Sequence, residues 1–387
     1  MICLHAGTCG GCSLLHQRYE AQLASKEAAL RALIGPLAPR VLRHASSSLF
    51  LNVPEHGSDP SHFRQKVAFV FAAGASGRGL VMGHYQRGSQ RVVPVSECPV
   101  HSARGNRIAF ALQAFLSRAN IPAAGPDLTG VLRHLIVRTA RDDGEAIAML
   151  VVTRNDKALR APIRAFLESF DRPDGFFLNI NADPGPFMIG ARTIRIDGRT
   201  HIREIVGGLT YQISPTAFFQ TNVSAAAVLQ QYVSSQLTDC GKVLDLYCGS
   251  GLFSLPLAAR GASVVGIEEN RQAVDDATAN ARLNGLPQSR VRFIAARVEE
   301  GVRRAAKAGA DAVILDPPRQ GCSDDVLEAV FQDLRPPTVV YVSCNPESLA
   351  AELPGIQSCG YRISELKAVD MFPHTGHLEA VVVLRRD

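Results

Sequence analysis

Cys344 and Glu379 are the two residues whose types and positions best suit covalent chemistry. Cys344 directly follows the apolar run 339–343, which predicts a buried strand. Ligands bind at the carboxyl ends of the strands in open parallel sheets, so a thiol at that position can act as a nucleophile once it ionises. Glu379 stands directly before the last apolar run, at 380–384, and is a candidate general base. The alternatives are a buried, inert cysteine and a solvated surface glutamate.

A glycine-rich turn predicts a site for a nucleotide-like cofactor. The strand predicted at 243–248 runs into Gly249-Ser250-Gly251, and a helix is expected from about Leu252. Glycines allow the backbone to approach a ligand closely, and the amides at the start of the helix remain free to bind it. Glu268 ends the next strand, where its carboxylate can accept hydrogen bonds from ribose hydroxyls. The turn lacks the GxGxxG form of nicotinamide sites, and its DxYCGSGxF form resembles the first motif of S-adenosylmethionine-dependent methyltransferases.

The fourth predicted strand of this half ends in Asp316-Pro317-Pro318-Arg319. A D-P-P sequence at this place resembles the catalytic loop of amino-methylating enzymes, in which an aromatic residue follows and stacks on the target base. Arg319 occupies the position of that aromatic residue, so methylation of an exocyclic adenine nitrogen is not expected.

A thiol beside a methyl donor suggests methylation of a pyrimidine carbon. Carbon 5 of uracil is a poor nucleophile, and addition of a thiolate to carbon 6 converts the ring into an enolate that can attack a methyl group. The adduct must then lose its carbon-5 proton, which requires a general base such as Glu379. Enzymes that methylate RNA cytosine usually carry a Pro-Cys pair after the acidic residue of the fourth-strand loop, whereas Cys322 lies four residues beyond Pro318. A single nucleophile at Cys344 therefore favours uracil.

Nine cysteines without an export signal do not suggest a disulfide scaffold. Cys3, Cys9 and Cys12 form a compact loop, and Cys98 can supply a fourth thiolate from a strand end. Four thiolates suit either tetrahedral zinc or a [4Fe–4S] cluster. The three-plus-one spacing favours the cluster, and thiol-assisted methyl transfer moves no electrons, so we expect it to tether the N-terminal loop to the β-rich part of the chain.

The elements that must position the C-terminal residues alternate between strands and helices. Short apolar, β-branched runs predict six strands, and helices are expected between them, at 271–284 and 323–334 among others; the strands are expected at 243–248, 263–268, 291–296, 312–316, 339–344 and 380–384. This alternation is typical of a doubly wound, mainly parallel sheet, and predicts an α/β Rossmann-like methyltransferase domain.

The N-terminal half has a different pattern. Helices are expected at 14–34, 101–119 and 157–170, β-strands within 62–97 and near 175–181 and 186–196, and a hairpin at 131–152. These elements predict an α+β domain with an antiparallel sheet that also carries the cysteine loop. We therefore expect two domains, at 1–214 and 215–387.

Charge is distributed unevenly between these two domains. Residues 1–214 contain 25 Lys and Arg but 16 Asp and Glu, whereas residues 215–387 contain 16 and 20. A basic first domain suits a polyanion such as nucleic acid, with a solvated arginine-rich surface as the alternative.

Composition excludes other classes of protein. A hydrophobic fraction of 46% and a charged fraction of 20% argue against extensive disorder. No apolar run approaches the ~18 residues of a membrane span, and the first twenty residues lack the pattern of a signal peptide. We expect a soluble cytoplasmic protein.

Seven segments in a fixed order resemble the bacterial RNA uracil-C5 methyltransferases. They are GTCGGC (7–12), SPTAFFQTN (214–222), DLYCGSGLFSLPLA (245–258), VVGIEEN (264–270), DPPRQG (316–321), SCNP (343–346) and MFPHTGHLE (371–379). The resemblance spans nearly the whole chain, and the ordered combination is specific although each segment alone is weak.

This resemblance implies roles for individual residues. Cys344 is expected to be the nucleophile and Glu379 the base, while Phe218 helps to hold a uracil that is flipped out of the RNA. The implied S-adenosylmethionine contacts are Gln220, Tyr247, Glu268 and Asp316, beside the turn glycines Gly249 and Gly251. The implied [4Fe–4S] ligands are Cys3, Cys9, Cys12 and Cys98.

The resemblance also implies a substrate. Many relatives begin with an oligonucleotide-binding TRAM domain, but the cysteine loop here opens at residue 3. The chain therefore resembles the shorter branch that acts on 23S ribosomal RNA. We separately expect a monomer with no membrane partner. The same chemistry on tRNA, a non-catalytic RNA-binding assembly factor and an electron-transfer protein are the alternatives.

Overall fold

The computed structural model describes residues 3–39, 41, 48–74, 79–185, 187–306 and 308–386. The chain divides into two compact units. The first consists of Met1–His16, Asp59–Glu204 and Ile213–Thr216, and the second of Gln17–Ser58, Ile205–Gln212 and Ala217–Asp387.

The first unit is built on a seven-stranded sheet in the order β3-β2-β1-β4-β5-β6-β7. Its strands are β1 (Lys66–Ala73), β2 (Leu80–Tyr85), β3 (Val92–Pro94), β4 (Leu132–Thr139), β5 (Ala146–Val152), β6 (Gly175–Ile180) and β7 (Arg192–Gly198), and its helices are α2 (Ala103–Arg118) and α3 (Arg160–Leu167). The hairpin expected at 131–152, the helices expected at 101–119 and 157–170 and the strands expected within 62–97 and near 175–181 are confirmed. The strand expected near 186–196 begins only at Arg192, and the two strands between 202 and 213 were not predicted. Residues 75–78 and 186, which the predicted β segments include, lie outside the described residues.

One strand pair differs from the predicted antiparallel sheet. β5 and β6 run parallel, whereas the other pairs of this sheet run antiparallel. The reason is the connection: α3 lies between β5 and β6 in sequence, and a helical crossover returns the chain to the same end of the sheet. Ile108, Leu112 and Leu116 lie one helical turn apart on α2 and are buried in the core of this unit.

The second unit contains a seven-stranded sheet in the order β12-β11-β10-β13-β14-β16-β15. Its strands are β10 (Lys242–Leu246), β11 (Ser263–Glu268), β12 (Val291–Ala295), β13 (Ala312–Leu315), β14 (Thr338–Ser343), β15 (Tyr361–Val369) and β16 (Glu379–Arg386). The first five pair in parallel, which confirms the predicted mainly parallel α/β architecture. β15 was not predicted. It runs in the same direction as β14, and the loop that follows it reverses the chain, so that β16 runs antiparallel to both strands.

The helices of this unit are α1 (Tyr19–Ile34), α4 (Val223–Ser235), α5 (Ser254–Ala259), α6 (Arg271–Leu283), α7 (Val298–Ala306), α8 (Asp324–Glu328) and α9 (Pro346–Ser358). A hairpin of β8 (Ile202–Val206) and β9 (Leu209–Ile213) precedes α4. Every residue of β13 and β14 is buried, as expected for central strands covered on both faces.

The position of α1 differs from the predicted division at residue 214. Residues 17–58 belong to the second unit, because Leu30 and Ile34 of α1 are buried in the same core as Leu349 and Leu353 of α9. An amphipathic helix shows in sequence that it has an apolar face, but not which core that face covers. Among the described helices, none is both long and apolar enough to cross a bilayer.

Candidate functional site

A cavity of about 680 Å³ lies in the second unit where β10, β11, β13 and β14 end. It gathers residues that are far apart in sequence and that the sequence singled out for chemistry. Those that line it are Phe218, Gln220, Tyr247, Gly249, Glu268, Asp316, Cys344 and Glu379. Gly251 lies just behind this lining, where its amide donates a hydrogen bond to the carbonyl of Cys248 at 2.9 Å.

The sheet register brings Cys344 and Glu379 to the same place. In the antiparallel ladder of β14 and β16, Ser343 pairs with Ala380. Cys344 directly follows Ser343, and Glu379 directly precedes Ala380. Both therefore stand at the same edge of the sheet, and both line the cavity. The unpredicted strand β15 and the reversal in the loop after it deliver Glu379 to this edge, since a last strand parallel to β14 would begin at the opposite edge.

Glu379 is held in a buried environment that suits a base. Glu379 is 3% exposed, and its Oε2 is buried without a hydrogen-bond partner among the described residues. Burial raises the pKa of Glu379 well above its usual range, and the nearby Asp316 charge raises it further, while Arg319 opposes the shift. A carboxylate with a raised pKa is a stronger base once it has ionised.

The thiol of Cys344 is protonated in this environment. Burial raises its pKa to about 11, and the charges of Glu379 and Asp316 add to the shift. Arg319 and the Cys344 amide act in the opposite direction. Helix α9 starts two residues later, and the positive end of its dipole also favours a thiolate.

The glycine turn leaves room for a ligand. Gly249 has a φ of +53°, and a Cβ added there would have no protein atom within 4 Å, so the turn faces open cavity. The amide of Gly249 donates to Glu268 Oε2 at 3.2 Å, and the amide of Asn270 donates to Oε1 at 2.8 Å. Glu268 thus braces the turn as well as facing the cavity.

A second carboxylate supports the site from behind. Asp245 is fully buried and accepts a 2.5 Å hydrogen bond from Ser254 on its Oδ2, while its Oδ1 has no partner among the described residues. Burial raises the pKa of Asp245 and of Asp316 to about 7. The charge of Glu268 raises both pKa values further, and the charge of Asp245 also raises the pKa of Asp316. Asp245 is the first residue of the DxYCGSGxF motif, but no role was predicted for it from the sequence.

Two neighbouring residues differ in exposure. Phe218 is 63% exposed and borders the cavity, so its ring is free to contact a ligand, whereas Gln220 is buried in the wall. Phe372 also borders the cavity and was missed as an individual residue, although it lies in the quoted segment 371–379.

Cys322 borders the cavity as well. Its thiol lies within hydrogen-bonding contact of the hydroxyls of Tyr341 and Tyr247, and burial raises its pKa to about 12. Tyr341 also donates a hydrogen bond to Glu352 Oε2 at 2.8 Å. Cys322 is therefore less prepared to ionise than Cys344.

The four cysteines that were predicted to bind a cluster lie together in the first unit. Cys3, Cys9, Cys12 and Cys98 all line a cavity of about 550 Å³. The cysteine loop crosses β2 closely, since the amide of Gly10 donates to the carbonyl of Tyr85 at 2.9 Å and a Cβ on Gly10 would stand 2.7 Å from that oxygen. A larger residue there would push the loop away.

The thiols of this cavity influence one another. Burial raises the pKa of Cys12 to about 12, and the charges of the other three thiols raise it further. Arg64 opposes this shift, and also the raised pKa of Cys98. Within the part of the chain that the structure describes, no group of three or more His, Cys, Asp or Glu is arranged to hold a single metal ion.

The chain is similar to a family of RNA-modifying enzymes. Residues 202–387 match the family model described as tRNA (Uracil-5-)-methyltransferase. An uncharacterized RNA methyltransferase of Caldanaerobacter subterraneus is 33% identical over 394 residues, which cover 100% of this chain and 84% of that protein. An uncharacterized RNA methyltransferase of Thermosynechococcus vestitus is 34% identical over 386 residues, covering 99% and 83%.

A solved structure has the same fold over almost the whole chain. The crystal structure of the Pyrococcus abyssi tRNA (uracil-54, C5)-methyltransferase in complex with S-adenosyl-L-homocysteine superposes with a TM-score of 0.79 at 28% identity. The match covers 97% of this chain and 84% of that one.

Proposed function

The chain belongs to the family of RNA uracil-5-methyltransferases, which use S-adenosylmethionine as methyl donor, and from this premise we propose that it methylates carbon 5 of a uridine in 23S ribosomal RNA through a covalent adduct with Cys344. The single observation that carries the chemistry is the meeting of Cys344 and Glu379 at one edge of the sheet, inside one cavity.

S-adenosylmethionine fits the part of the cavity beside the glycine turn. Its volume of about 680 Å³ lies within the roughly 300–1,000 Å³ of small-molecule sites. The open space beside Gly249 allows the ligand to approach the backbone, and Glu268 offers oxygens to ribose hydroxyls. We assign the remaining contacts of this ligand to residues that line the same cavity, namely Gln220, Tyr247 and Asp316.

Cys344 starts the reaction on the base. Its thiol must lose a proton, since the thiolate is the attacking form, and Arg319 is the nearby charge that favours the thiolate. The sulfur then bonds to carbon 6 of uracil, and the electron pair of the ring double bond makes carbon 5 nucleophilic. S-adenosylmethionine, when bound, would supply the electrophilic methyl group to carbon 5, with its sulfur–methyl bond breaking to leave S-adenosylhomocysteine.

Glu379 completes the reaction by taking the carbon-5 proton. The electrons of the broken C–H bond re-form the ring double bond, and the Cys344 sulfur leaves carbon 6. This step needs an ionised carboxylate within reach of the carbon, and the unpartnered Oε2 of Glu379 meets that need. Phe218 is exposed at the cavity and offers a ring against which a flipped-out uracil can stack.

We propose that the cysteine cavity holds a [4Fe–4S] cluster and not a zinc ion. Four thiolates suit either group, and all four cysteines line one cavity of about 550 Å³. The three-plus-one spacing and the resemblance favour the cluster, which Cys3, Cys9, Cys12 and Cys98 would hold. The group would bind the N-terminal loop to β2 and the segment at Cys98.

The choice of 23S ribosomal RNA rests on the resemblance to the branch of the family that acts on that RNA and on the basic character of residues 1–214. tRNA is the second candidate, because the Pyrococcus abyssi protein acts on uracil 54 of tRNA. We propose a monomer that acts in the cytoplasm.

The test uses 23S and tRNA transcripts tritiated at carbon 5 of uridine. With S-adenosylmethionine, we expect release of tritium into water from 23S RNA, and none from the Cys344→Ala variant. The matched control is Cys322→Ala, a second thiol of the same cavity, which should retain release. Release from tRNA alone would replace the substrate, and RNA binding with no release from either would support an assembly factor.

A further inference from the structure

Helix α1 has an unusual buried face. Tyr19, Gln22 and Lys26 lie one turn apart along it, and Gln22 is 0% and Lys26 4% exposed. Lysine is almost never fully buried unless its charge is paired, so the partners of these side chains explain why they are there.

Those partners lie in the loop between β15 and β16, residues 370–378, which we term the 370–378 loop. Lys26 Nζ donates hydrogen bonds to Asp370 Oδ1 at 2.8 Å and to the Phe372 carbonyl at 3.2 Å. The amide of Phe372 donates to the same Asp370 oxygen at 3.2 Å. Both charged side chains are almost completely buried, so the pair is shielded from solvent.

Gln22 fixes the same loop at His374. The amide of His374 donates to Gln22 Oε1 at 2.8 Å, and Gln22 Nε2 lies 3.2 Å from His374 Nδ1. His374 has a φ of +66°, a left-handed conformation that residues other than glycine rarely adopt. Such a conformation persists where surrounding contacts enforce it, and Gln22 supplies them.

A third contact connects this network to the segment that carries Gln220, which also lines the cavity. Asn222 Nδ2 donates to the carbonyl of Met371 at 3.2 Å and lies 2.8 Å from His56 Nε2, whose Nδ1 lies 2.9 Å from the Tyr19 hydroxyl. Asn222 follows Gln220 closely in sequence, so α1 connects both segments that flank the cavity.

We propose that Lys26 and Gln22 are positioning residues for proton removal. They hold the 370–378 loop, which places Phe372 at the cavity and leads directly into Glu379. Among the described residues, neither Lys26 nor Gln22 lines the cavity. This inference rests on the proposed function, since it assigns Glu379 the role of base.

The proposal makes a prediction about which step fails. Addition of Cys344 and uptake of the methyl group depend on β14 and the glycine turn, whereas removal of the carbon-5 proton depends on Glu379 and the loop before it. Loosening the loop should slow the second step only, so that the methylated protein–RNA adduct accumulates. A variant that merely unfolds would form less adduct.

The main test compares Lys26→Met/Asp370→Asn with wild type under single turnover. The two changes together leave no unpaired buried charge. With methyl-labelled S-adenosylmethionine and RNA tritiated at carbon 5, we expect tritium release to slow roughly tenfold to hundredfold while labelled adduct persists on a denaturing gel. Glu379→Gln should give the same pattern. The matched control is Glu27→Gln, which changes a charged residue of α1 that pairs with Arg31 one turn along the same helix. It should behave as wild type.

Gln22→Met provides a second variant without a change of charge, and decides the question if the double variant does not fold. Adduct accumulation with slow release supports the proposal. Parallel loss of adduct and release, or wild-type rates in both variants, overturns it and leaves α1 a purely structural role. A wild-type protein that forms no adduct with either RNA overturns the proposed function, and this assignment with it.

Discussion

The side-chain amide of Asn345 donates a hydrogen bond to the main-chain carbonyl of Arg319 at 3.0 Å. This contact joins the turn that carries Cys344 to the loop that carries Asp316 and Arg319. Ser348 donates to the same carbonyl at 3.0 Å, and Asn345 also caps α9 by accepting from the Glu347 amide at 3.3 Å. Cys344 and two of the residues whose charges act on its pKa, Asp316 and Arg319, thereby lie on segments joined by hydrogen bonds.

Substitution of Asn345 separates its two roles. Asn345→Ser keeps a helix-capping oxygen but loses the reach to Arg319, so we expect almost unchanged thermal stability and methyl transfer slowed roughly tenfold to hundredfold. Asn345→Ala loses the cap as well, and this change should lower the free energy of unfolding by about 1 kcal/mol. Single-turnover rates and thermal unfolding measure the two effects. A wild-type rate in Asn345→Ser would show that the contact with Arg319 does not position the nucleophile.

The pKa of Cys344 predicts how its alkylation depends on pH. Because that pKa is raised to about 11, most of the thiol is protonated at neutral pH, and its reaction with iodoacetamide should rise about tenfold per pH unit up to the pKa. Glu379→Gln removes a charge that raises the pKa, so alkylation should be faster at a given pH. Arg319→Gln removes the opposing charge and should slow it.

Mass spectrometry with peptide fragmentation follows this reaction at Cys344, because fragment masses distinguish it from Cys322 and Cys359, which lie in the same tryptic peptide. Cys344→Ser sets the background. Superimposable profiles for wild type and Glu379→Gln would mean that the carboxylate does not influence the thiol.

Gly249→Ala tests the ligand-facing turn. The added methyl group would enter open cavity at a left-handed φ, so we expect about 1–2 kcal/mol of strain and weaker binding of S-adenosylhomocysteine by about tenfold or more, measured by titration calorimetry. Gly285 has a φ of +69° and equally open surroundings but lies outside the cavity. Gly285→Ala should thus be similarly strained yet bind the ligand normally. Equal affinities for the two variants would remove Gly249 from the binding site.

The cysteine cavity predicts an iron-containing protein. After anaerobic purification, we expect broad visible absorption and bound iron, and Cys98→Ser should lower the iron content several-fold because one of four ligands is lost. Cys240→Ser, a change in the second unit away from that cavity, should not alter it. Stoichiometric zinc without iron in the wild-type protein would contradict the cluster.

The sequence predicted the residues at strand ends better than the contacts between distant segments. Cys344, Glu268 and Asp316 follow apolar runs that each form a strand, and parallel strands bring their carboxyl ends together whatever their order. Periodicity and turn residues are local signals, so they identified these strands and the glycine turn directly.

Long-range features escaped prediction because no local signal encodes them. β15 alternates only partly between buried and exposed residues, with an irregularity between Ile363 and Glu365. The strand was therefore missed, and with it the reversal of the chain between β15 and β16. The pairing of Lys26 with Asp370 joins residues 344 positions apart. A lysine on an amphipathic helix is normally solvated, and only the fold reveals that this one is buried.

That separation in sequence has a consequence for synthesis of the protein. A ribosome that adds about 5–20 residues per second produces Asp370 roughly 20–70 s after Lys26. During that interval α1 exists without the carboxylate and loop that its buried polar face requires, and its apolar face lacks α9. The second unit thus cannot reach its final packing until the 370–378 loop and β16 are made, and this segment both completes the surroundings of α1 and brings Glu379 to the cavity.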